Sequence, residues 1–176
     1  LHYPLRRQRQ MCIRDRLCRP VWRQKLNSPT LSELFEDSNS DTITHRGKII
    51  RAIVRIPVRD GALVIVERLS VASPRPQAVK LALNSGVMDI NGYRGPEIAL
   101  WSHNSPETNE IRIRGAGASL LEVWNAWSMG GVDTSWIGNA GIVTKSTSEG
   151  EILQCSDGLD IPSFTDLVVQ ISITPE

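Results

Sequence analysis

The sequence predicts an all-β protein, an antiparallel β-sandwich or jelly roll of about ten strands. The chain of 176 residues includes 13 glycines and 10 prolines, which indicates frequent turns. Short apolar runs rich in valine and isoleucine recur between turn signals every ~8–12 residues, as in sandwiches and barrels. At ~100–200 residues per domain, this length predicts one domain.

The first 25 residues differ in charge from the rest. They carry eight basic side chains and one acidic one, whereas residues 26–176 carry 12 basic and 18 acidic ones. The run 11–16 resembles a translated sequencing-library adaptor, so we interpret residues 1–25 as a basic tail left by sequencing or assembly. A disordered tail is the alternative. The tail lacks the interleaved aromatic residues that stack on bases, so no nucleic-acid partner is expected.

Residues 26–46 are predicted to form a polar lead-in, and residues 47–176 the single β-sandwich domain. Within the lead-in, Leu31 to Phe35 are predicted to make one helical turn. Thr30 and Glu33 have the spacing of a capping box, in which side chain and backbone groups satisfy each other at a helix start. No apolar run approaches the ~20 residues that span a bilayer, and no signal peptide is recognisable.

The strands are assigned from alternating apolar residues between turns. Residues 49–58 and 62–71 are predicted to pair as a hairpin around Asp60-Gly61, with Pro57 at a sheet edge or bulge. The later strands are predicted at 78–83, 87–90, 97–101, 110–114, 120–127, around Trp136, 142–145, 151–155 and 167–173.

An acidic loop near the end of the chain is a candidate metal site. Asp157, Asp160 and Asp166 lie within ten residues, and Gly158 and Pro162 permit a tight path. Calcium binds six to eight oxygens, which such loops supply from carboxylates and carbonyls. The alternative is structural: Asp157 and Asp160 make local turns, and Asp166 supports the start of the last strand.

The order of residues in this loop resembles the calcium loop of small bacterial calcium-dependent lectins that bind fucose and mannose. Asp157, Asp160 and Asp166 match acidic positions, and Phe164 matches an aromatic one. Ser156, Thr165 and residues 161–163 depart from the pattern and remove ligands. The resemblance implies a calcium ion that contacts sugar hydroxyls. Outside this loop, the chain resembles bacterial β-sandwich domains of unassigned activity.

A tryptophan segment is the candidate ligand site. In a strand, Trp124 and Trp127 point to opposite faces, so one can fill the core while the other faces outward. An exposed indole beside the amide of Asn125 offers a flat apolar platform for a sugar ring. The alternative is that both indoles pack in the core.

No catalytic motif is recognised, so we do not expect an enzyme. Ser102, His103 and Glu107 are interpreted as a surface loop because nothing indicates the geometry of a triad. Cys155 is interpreted as a small buried apolar residue.

These patterns together predict a non-catalytic binding module that recognises carbohydrate, with calcium as a candidate cofactor and a glycan as partner. The alternative is a protein–protein interaction or structural domain that uses a sheet face or edge.

Overall fold

The computed structural model describes residues 28–174, so the basic tail of residues 1–25 lies outside the described residues. The described chain forms one helix and fourteen strands, and the strands make two antiparallel sheets packed together. This architecture confirms the predicted all-β sandwich.

The helix α1 spans Leu31–Ser38. The strands are β1 (Thr42–His45), β2 (Lys48–Arg51), β3 (Val54–Pro57), β4 (Leu63–Val71), β5 (Gln77–Leu83), β6 (Val87–Ile90), β7 (Tyr93–Gly95), β8 (Glu97–Trp101), β9 (Thr108–Arg114), β10 (Leu120–Met129), β11 (Val132–Thr134), β12 (Gly141–Thr147), β13 (Gly150–Ser156) and β14 (Leu167–Thr174).

The two sheets differ in size. The large sheet has the order β1-β2-β12-β13-β14-β4-β9-β6-β7, and the small sheet has the order β11-β10-β5-β8, with β3 also paired to β10. The core lies between them, because alternate residues of each strand point to one face. On β5, for example, Val79 and Leu81 belong to the core, whereas Lys80 points to the outer face.

The segment predicted as a lead-in is part of the fold. Thr30 and Glu33 form the predicted capping box at the start of α1. Leu31 is buried beside Ile50 and Phe164 in a second, smaller apolar cluster. The β1–β2 hairpin also crosses the domain boundary predicted at residue 47.

The hairpin predicted from residues 49–58 and 62–71 is wrong. A bend at residues 52–53 divides the first segment into β2 and β3, and β3 pairs with β10 of the small sheet. Residues 63–71 form β4 of the large sheet, between β14 and β9. The Asp60-Gly61 turn therefore connects two sheets. Pro57 lies on β3, which among residues 28–174 pairs only with β10, so its edge position is confirmed.

Most other strands lie within a few residues of their predicted positions. Trp136 is an exception: it follows β11 and lies in an irregular segment with a backbone φ of 59°. The strands β1 and β7 were not predicted. Both are short and lie at the two edges of the large sheet, where polar residues weaken the apolar alternation.

The longer connections collect at one end of the sandwich. The pairing registers place the end of β4, the start of β5, the end of β8 and the ends of β10 and β13 on this side. The connections found here are residues 72–76, 102–107, 135–140 and 157–166. A rigid sandwich with its long loops at one end is a common arrangement for recognition.

Candidate functional site

All three regions singled out in the sequence meet at the loop end. The acidic loop, the tryptophan strand β10 and the segment after Trp101 are joined there by hydrogen bonds, two of which connect the two sheets. Gln77 donates its side-chain amide to Asp157 (3.1 Å), and Asn125 donates to the carbonyl of Ser156 (2.9 Å). The backbone N–H of Gln77 donates to the hydroxyl of Ser102 (3.1 Å).

Asp157 is fully buried, and protein donors surround its carboxylate. Arg75 donates from Nε to Oδ2 (3.0 Å) and from Nη2 to Oδ1 (3.2 Å). Ser73, Gln77 and the backbone N–H of Leu159 donate at 3.1 Å each. The hydrogen bond from Leu159 closes a local turn at Asp157, as predicted if the acidic loop has a structural role. A buried carboxylate is stable only when it is paired and hydrogen-bonded in this way.

The three aspartates of the candidate calcium site do not converge in the structure. Asp166 accepts the backbone N–H of Asp157 through Oδ2 (2.9 Å), and Asp160 is exposed. Within residues 28–174, no group of three His, Cys, Asp or Glu residues is placed to hold a metal ion. A calcium ion at Asp157 would have to displace the guanidinium of Arg75, so these contacts do not fit the predicted ion.

The two indoles of β10 point to opposite faces, as predicted. Trp127 lies on the same face as the core residues Leu121 and Val123 and is fully buried. Trp124 lies on the outer face, directly opposite Lys80 of β5. Asn125 points to the core side, where it anchors the acidic loop rather than facing solvent.

The outward-facing Trp124 is nevertheless only 6% exposed. The indole of Trp136 stacks against it, with ring centroids 5.3 Å apart and an interplanar angle of 31°. The prediction that Trp124 is an exposed platform is therefore wrong. The chain turns back after β11, so that Trp136 covers Trp124 and is the outer ring of the pair. The positive φ of Trp136 is uncommon for an aromatic residue and marks a backbone held by its surroundings.

The loop that carries Trp136 is fixed against the acidic loop. Asn139 donates its backbone N–H to the carbonyl of Gly158 (3.0 Å) and its side-chain amide to the carbonyl of Asp160 (2.5 Å). The backbone N–H of Ser32 on α1 donates to the carbonyl of Gly138 (2.9 Å). These contacts hold Trp136 in place over the small sheet.

A third tryptophan lies on the same outer face. Trp101 of β8 is opposite Ala78 of β5, which is opposite Ala126 of β10. We call this surface the tryptophan face. It consists of Trp101, Trp124 and Trp136 with Ala78, Ala99 and Ala126. Trp101 and Trp136 are partly exposed and Ala99 is exposed, whereas Ala78 and Ala126 are fully buried and are therefore already covered by protein atoms.

Ion pairs border the tryptophan face. Lys80 lies between Trp124 and Ala99 and reaches Asp133 of β11, with Nζ 2.5 Å from Oδ2. Arg55 of β3 donates to Glu122 (2.9 Å) and also binds Asp41, and these two carboxylates help to raise the pKa of its guanidinium.

The other candidate groups have structural roles. Cys155 is buried, as predicted, and burial raises the pKa of its thiol well above the ordinary range. His103 is exposed in a loop, next to the ring of Trp101 (centroids 5.9 Å apart).

Trp101 and Trp136 were not among the residues predicted to contact a ligand. A signal was present for Trp101, since the alternation of Glu97, Ala99 and Trp101 with buried Ile98 and Leu100 indicates an outward face. No periodic signal exists for Trp136, because it lies in an irregular loop.

Comparison with family models, curated proteins and solved structures gives no match to this chain. Among residues 28–174, no helix has the length and apolar character needed to cross a membrane.

Proposed function

We propose that this protein is a non-catalytic binding module that recognises carbohydrate through the tryptophan face. The observation that carries the proposal is the placement of Trp101 and of the Trp124–Trp136 stack on one outer sheet face above small alanines. Indole rings stack on the apolar faces of sugar rings, and neighbouring polar groups bind the hydroxyls. Here Lys80, Asp133 and His103 are the nearby polar groups.

The residues that would contact the ligand here differ from those first expected, Trp124, Asn125 and Trp127. Trp127 and Asn125 lie on the core side, and Trp124 is covered, so they support the surface from below. Trp136 and Trp101 provide the accessible rings. Because the loops around Trp136 are joined by hydrogen bonds, the surface is already formed before binding, which lowers the entropic cost of association.

The test is titration of the protein with a panel of neutral soluble polysaccharides and their oligosaccharides, followed by tryptophan fluorescence and calorimetry. We expect saturable binding by at least one sugar type. Trp101→Ala should weaken that binding by about tenfold or more, since it removes one stacking surface. Tyr93→Ala is the matched control, because Tyr93 is an exposed aromatic residue (53%) on β7 of the other sheet.

Circular dichroism and thermal denaturation would establish that both variants are folded. The proposal is overturned if no member of the panel binds, or if Trp101→Ala and Tyr93→Ala bind as tightly as the unaltered protein.

A protein ligand is the second candidate, and exposed apolar side chains at the loop end favour it. Val132 is 65% exposed, Ile137 is 48% exposed and Ile161 is 64% exposed. Such side chains, here on β11 and in two neighbouring loops, are typical of contact surfaces. The two candidates depend on different residues: Ile161→Ser should leave sugar binding unchanged and weaken only the binding of a protein.

A further inference from the structure

We propose that β8 is a contact surface at which two copies of this chain pair edge to edge as a two-fold dimer. The contact involves the backbone at the edge of the small sheet and forms without a ligand. It therefore goes beyond the proposed function and does not depend on it.

One side of β8 is paired and the other is free among residues 28–174. Leu83 donates its backbone N–H to the carbonyl of Pro96 (2.9 Å), just before β8, and Ser102, just after it, donates to the carbonyl of Gln77 (2.7 Å). Both bonds join the ends of β8 to β5, and in an antiparallel ladder alternate residues bond to the partner strand. The intervening residues point their N–H and carbonyl groups away from β5, toward a side where no described strand pairs with β8. They are Glu97, Ala99 and Trp101.

The free edge is short, because contacts within the chain close it at both ends. The hydroxyl of Tyr93 donates to the carbonyl of Glu97 (3.2 Å). The backbone N–H and the hydroxyl of Ser105 donate to the carbonyl of Trp101 (2.9 and 2.7 Å). Between these ends, the N–H and the carbonyl of Ala99 have no partner in the described part of the chain, and its side chain is exposed. An added strand must therefore be centred on Ala99.

The edge at β8 lacks the features that usually protect an edge strand. Proteins protect such edges with very short strands, prolines, lysines or bulges. The other outermost strands of the two sheets follow this rule, since β1, β7 and β11 have only three or four residues each. β8 has five residues, and it contains no proline, no lysine and no shift of register against β5. Its backbone is therefore open to pairing with another strand.

A second copy of β8 fits this edge in one register. A two-fold axis beside Ala99 pairs this residue with Ala99 of the second copy, and it places Glu97 opposite Trp101 of the second copy. Both backbone groups of Ala99 are then paired, and the N–H of Trp101 faces the carbonyl of the other Glu97. A register centred on Ile98 or Leu100 would need backbone groups that β5 already binds. A register centred on Glu97 would place two carboxylates opposite each other.

Charge and side-chain size allow two copies to approach in this way. The formal net charge of the chain is +1 at pH 7, so two chains repel each other little. The side chain at the axis is the small one of Ala99. A single strand edge buries less than the ~1,200–2,000 Å² of a stable interface, so we expect a weak dimer, with a dissociation constant between about 10 and 500 µM. Because opposite residues of paired strands lie on the same face, the tryptophan faces of both copies lie on one side of the joined sheet.

The first experiment is sedimentation equilibrium of the full chain, without ligand, from about 5 to about 500 µM. A reducing agent is present, because Cys12 and Cys18 can otherwise link two chains. We expect the average mass to rise with concentration from one chain toward two. A protein that remains monomeric throughout this range overturns the proposal and leaves the edge to a strand of another protein.

Amide hydrogen exchange measured by NMR locates the contact. At high concentration the amides of Ala99 and Trp101 should exchange more slowly than at low concentration, because they become paired. The amides of Ile98 and Leu100 are internal controls, since they are bonded to β5 in both states. A dimer in which the amides of Ala99 and Trp101 are unaffected uses another surface and overturns the proposal.

Two variants test the axis at Ala99. Ala99→Asp and Ala99→Lys each place like charges opposite each other, so each should weaken dimerisation by about fivefold at low salt. An equal mixture of the two variants should associate at least as tightly as the unaltered protein, because opposite charges then meet. Thr44→Asp is the matched control: Thr44 is exposed on the edge strand β1 of the large sheet, and its variant should dimerise normally.

Circular dichroism would establish that each variant is folded. If both Ala99 variants dimerise as tightly as the unaltered protein, or if their mixture associates no better than each variant alone, the proposal is overturned. Sugar binding is measured separately, so neither result decides the proposed function.

Discussion

Asp157 shows how one buried charge joins the two sheets. It belongs to the connection after β13 of the large sheet, and it binds Gln77, the first residue of β5 in the small sheet. Arg75, in the connection between β4 and β5, donates two further hydrogen bonds to Asp157. The acidic loop, the start of β5 and the connection from β4 to β5 are thereby held in one arrangement. The contribution of this residue to stability can be measured separately.

We predict that Asp157→Asn lowers the free energy of unfolding by about 3 kcal/mol, because breaking a buried ion pair leaves unpaired polar groups. The matched control is Asp160→Asn in the same loop, where the side chain is exposed and a change within about 0.5 kcal/mol is expected. Urea denaturation measures the free energy of unfolding of both variants, and an unchanged m-value would show that only stability differs. Equal effects of the two variants would contradict the structural role of Asp157.

Calcium binding can be tested at the same residues. The acidic pattern predicts an ion, whereas the five donors around Asp157 fill the positions that an ion would need. We therefore expect the melting temperature in millimolar calcium to equal that in EDTA. A ligand that binds only the native state must raise the melting temperature, so a higher value in calcium would restore the calcium hypothesis. Magnesium is the control for ionic strength.

At the scale of elements, the contact between loops 135–140 and 157–166 explains the position of Trp136. Gly138 has a φ of 58°, and a Cβ at this position would overlap the carbonyl oxygen of Gly158. The same backbone carbonyl accepts the N–H of Asn139, so it cannot move away without losing a hydrogen bond. Glycine at residue 138 is therefore required for both conformation and space.

We predict that Gly138→Ala destabilises the protein by at least about 2 kcal/mol more than Gly130→Ala. Gly130 has nearly the same φ, 59°, but an added Cβ meets no described atom within 4 Å. Both variants place alanine at a positive φ, so the backbone strain is common to them. The difference between their free energies of unfolding therefore measures the steric contact with Gly158. Thermal and urea denaturation give the two values, and equal losses would show that the loops do not touch as described.

The strand assignments show which elements local sequence can predict. The residues of β6 and β8 were predicted with the observed bounds. For β6 the reason is local, because Asn84 to Gly86 and Asn91-Gly92 mark its two ends. The hairpin across Asp60-Gly61 was wrong, since a turn signal does not specify which strands it joins. Instead of pairing with β4, β3 pairs with β10, whose residues lie 63 or more positions later in the chain. Such pairing depends on the whole fold rather than on the turn.

For the candidate site, period-two alternation correctly separated Trp124 from Trp127. The same argument could not reveal that Trp136 covers Trp124, because the chain reversal after β11 brings them together. For the acidic loop, the sequence left a metal ion and local turns as alternatives for Asp157 and could not reveal its partner Arg75, which lies 82 residues earlier in the chain. Contacts between positions so far apart leave no local pattern.

For the whole molecule, stability should be greatest in the middle of the large sheet. β14 lies between β13 and β4, and β4 lies between β14 and β9, so both have partners on two sides. In the part of the chain that the structure describes, the edge strands β1 and β7 each have one partner. We predict the slowest amide hydrogen exchange in β4 and β14 and the fastest strand exchange in β1 and β7. Exchange in β7 as slow as in β14 would contradict this topology.

The unequal ends of the sandwich also determine how the molecule can be attached to a surface. Residues 84–86, 115–119 and 148–149 make compact turns at the end away from the acidic loop. Ser148 is exposed there. With Cys12 and Cys18 replaced by serine, the remaining native cysteine is the buried Cys155. A tether coupled to a cysteine in the further variant Ser148→Cys would then leave Trp101 and Trp136 directed toward solvent, so the protein could be immobilised on a sensor chip in one orientation with its rings available.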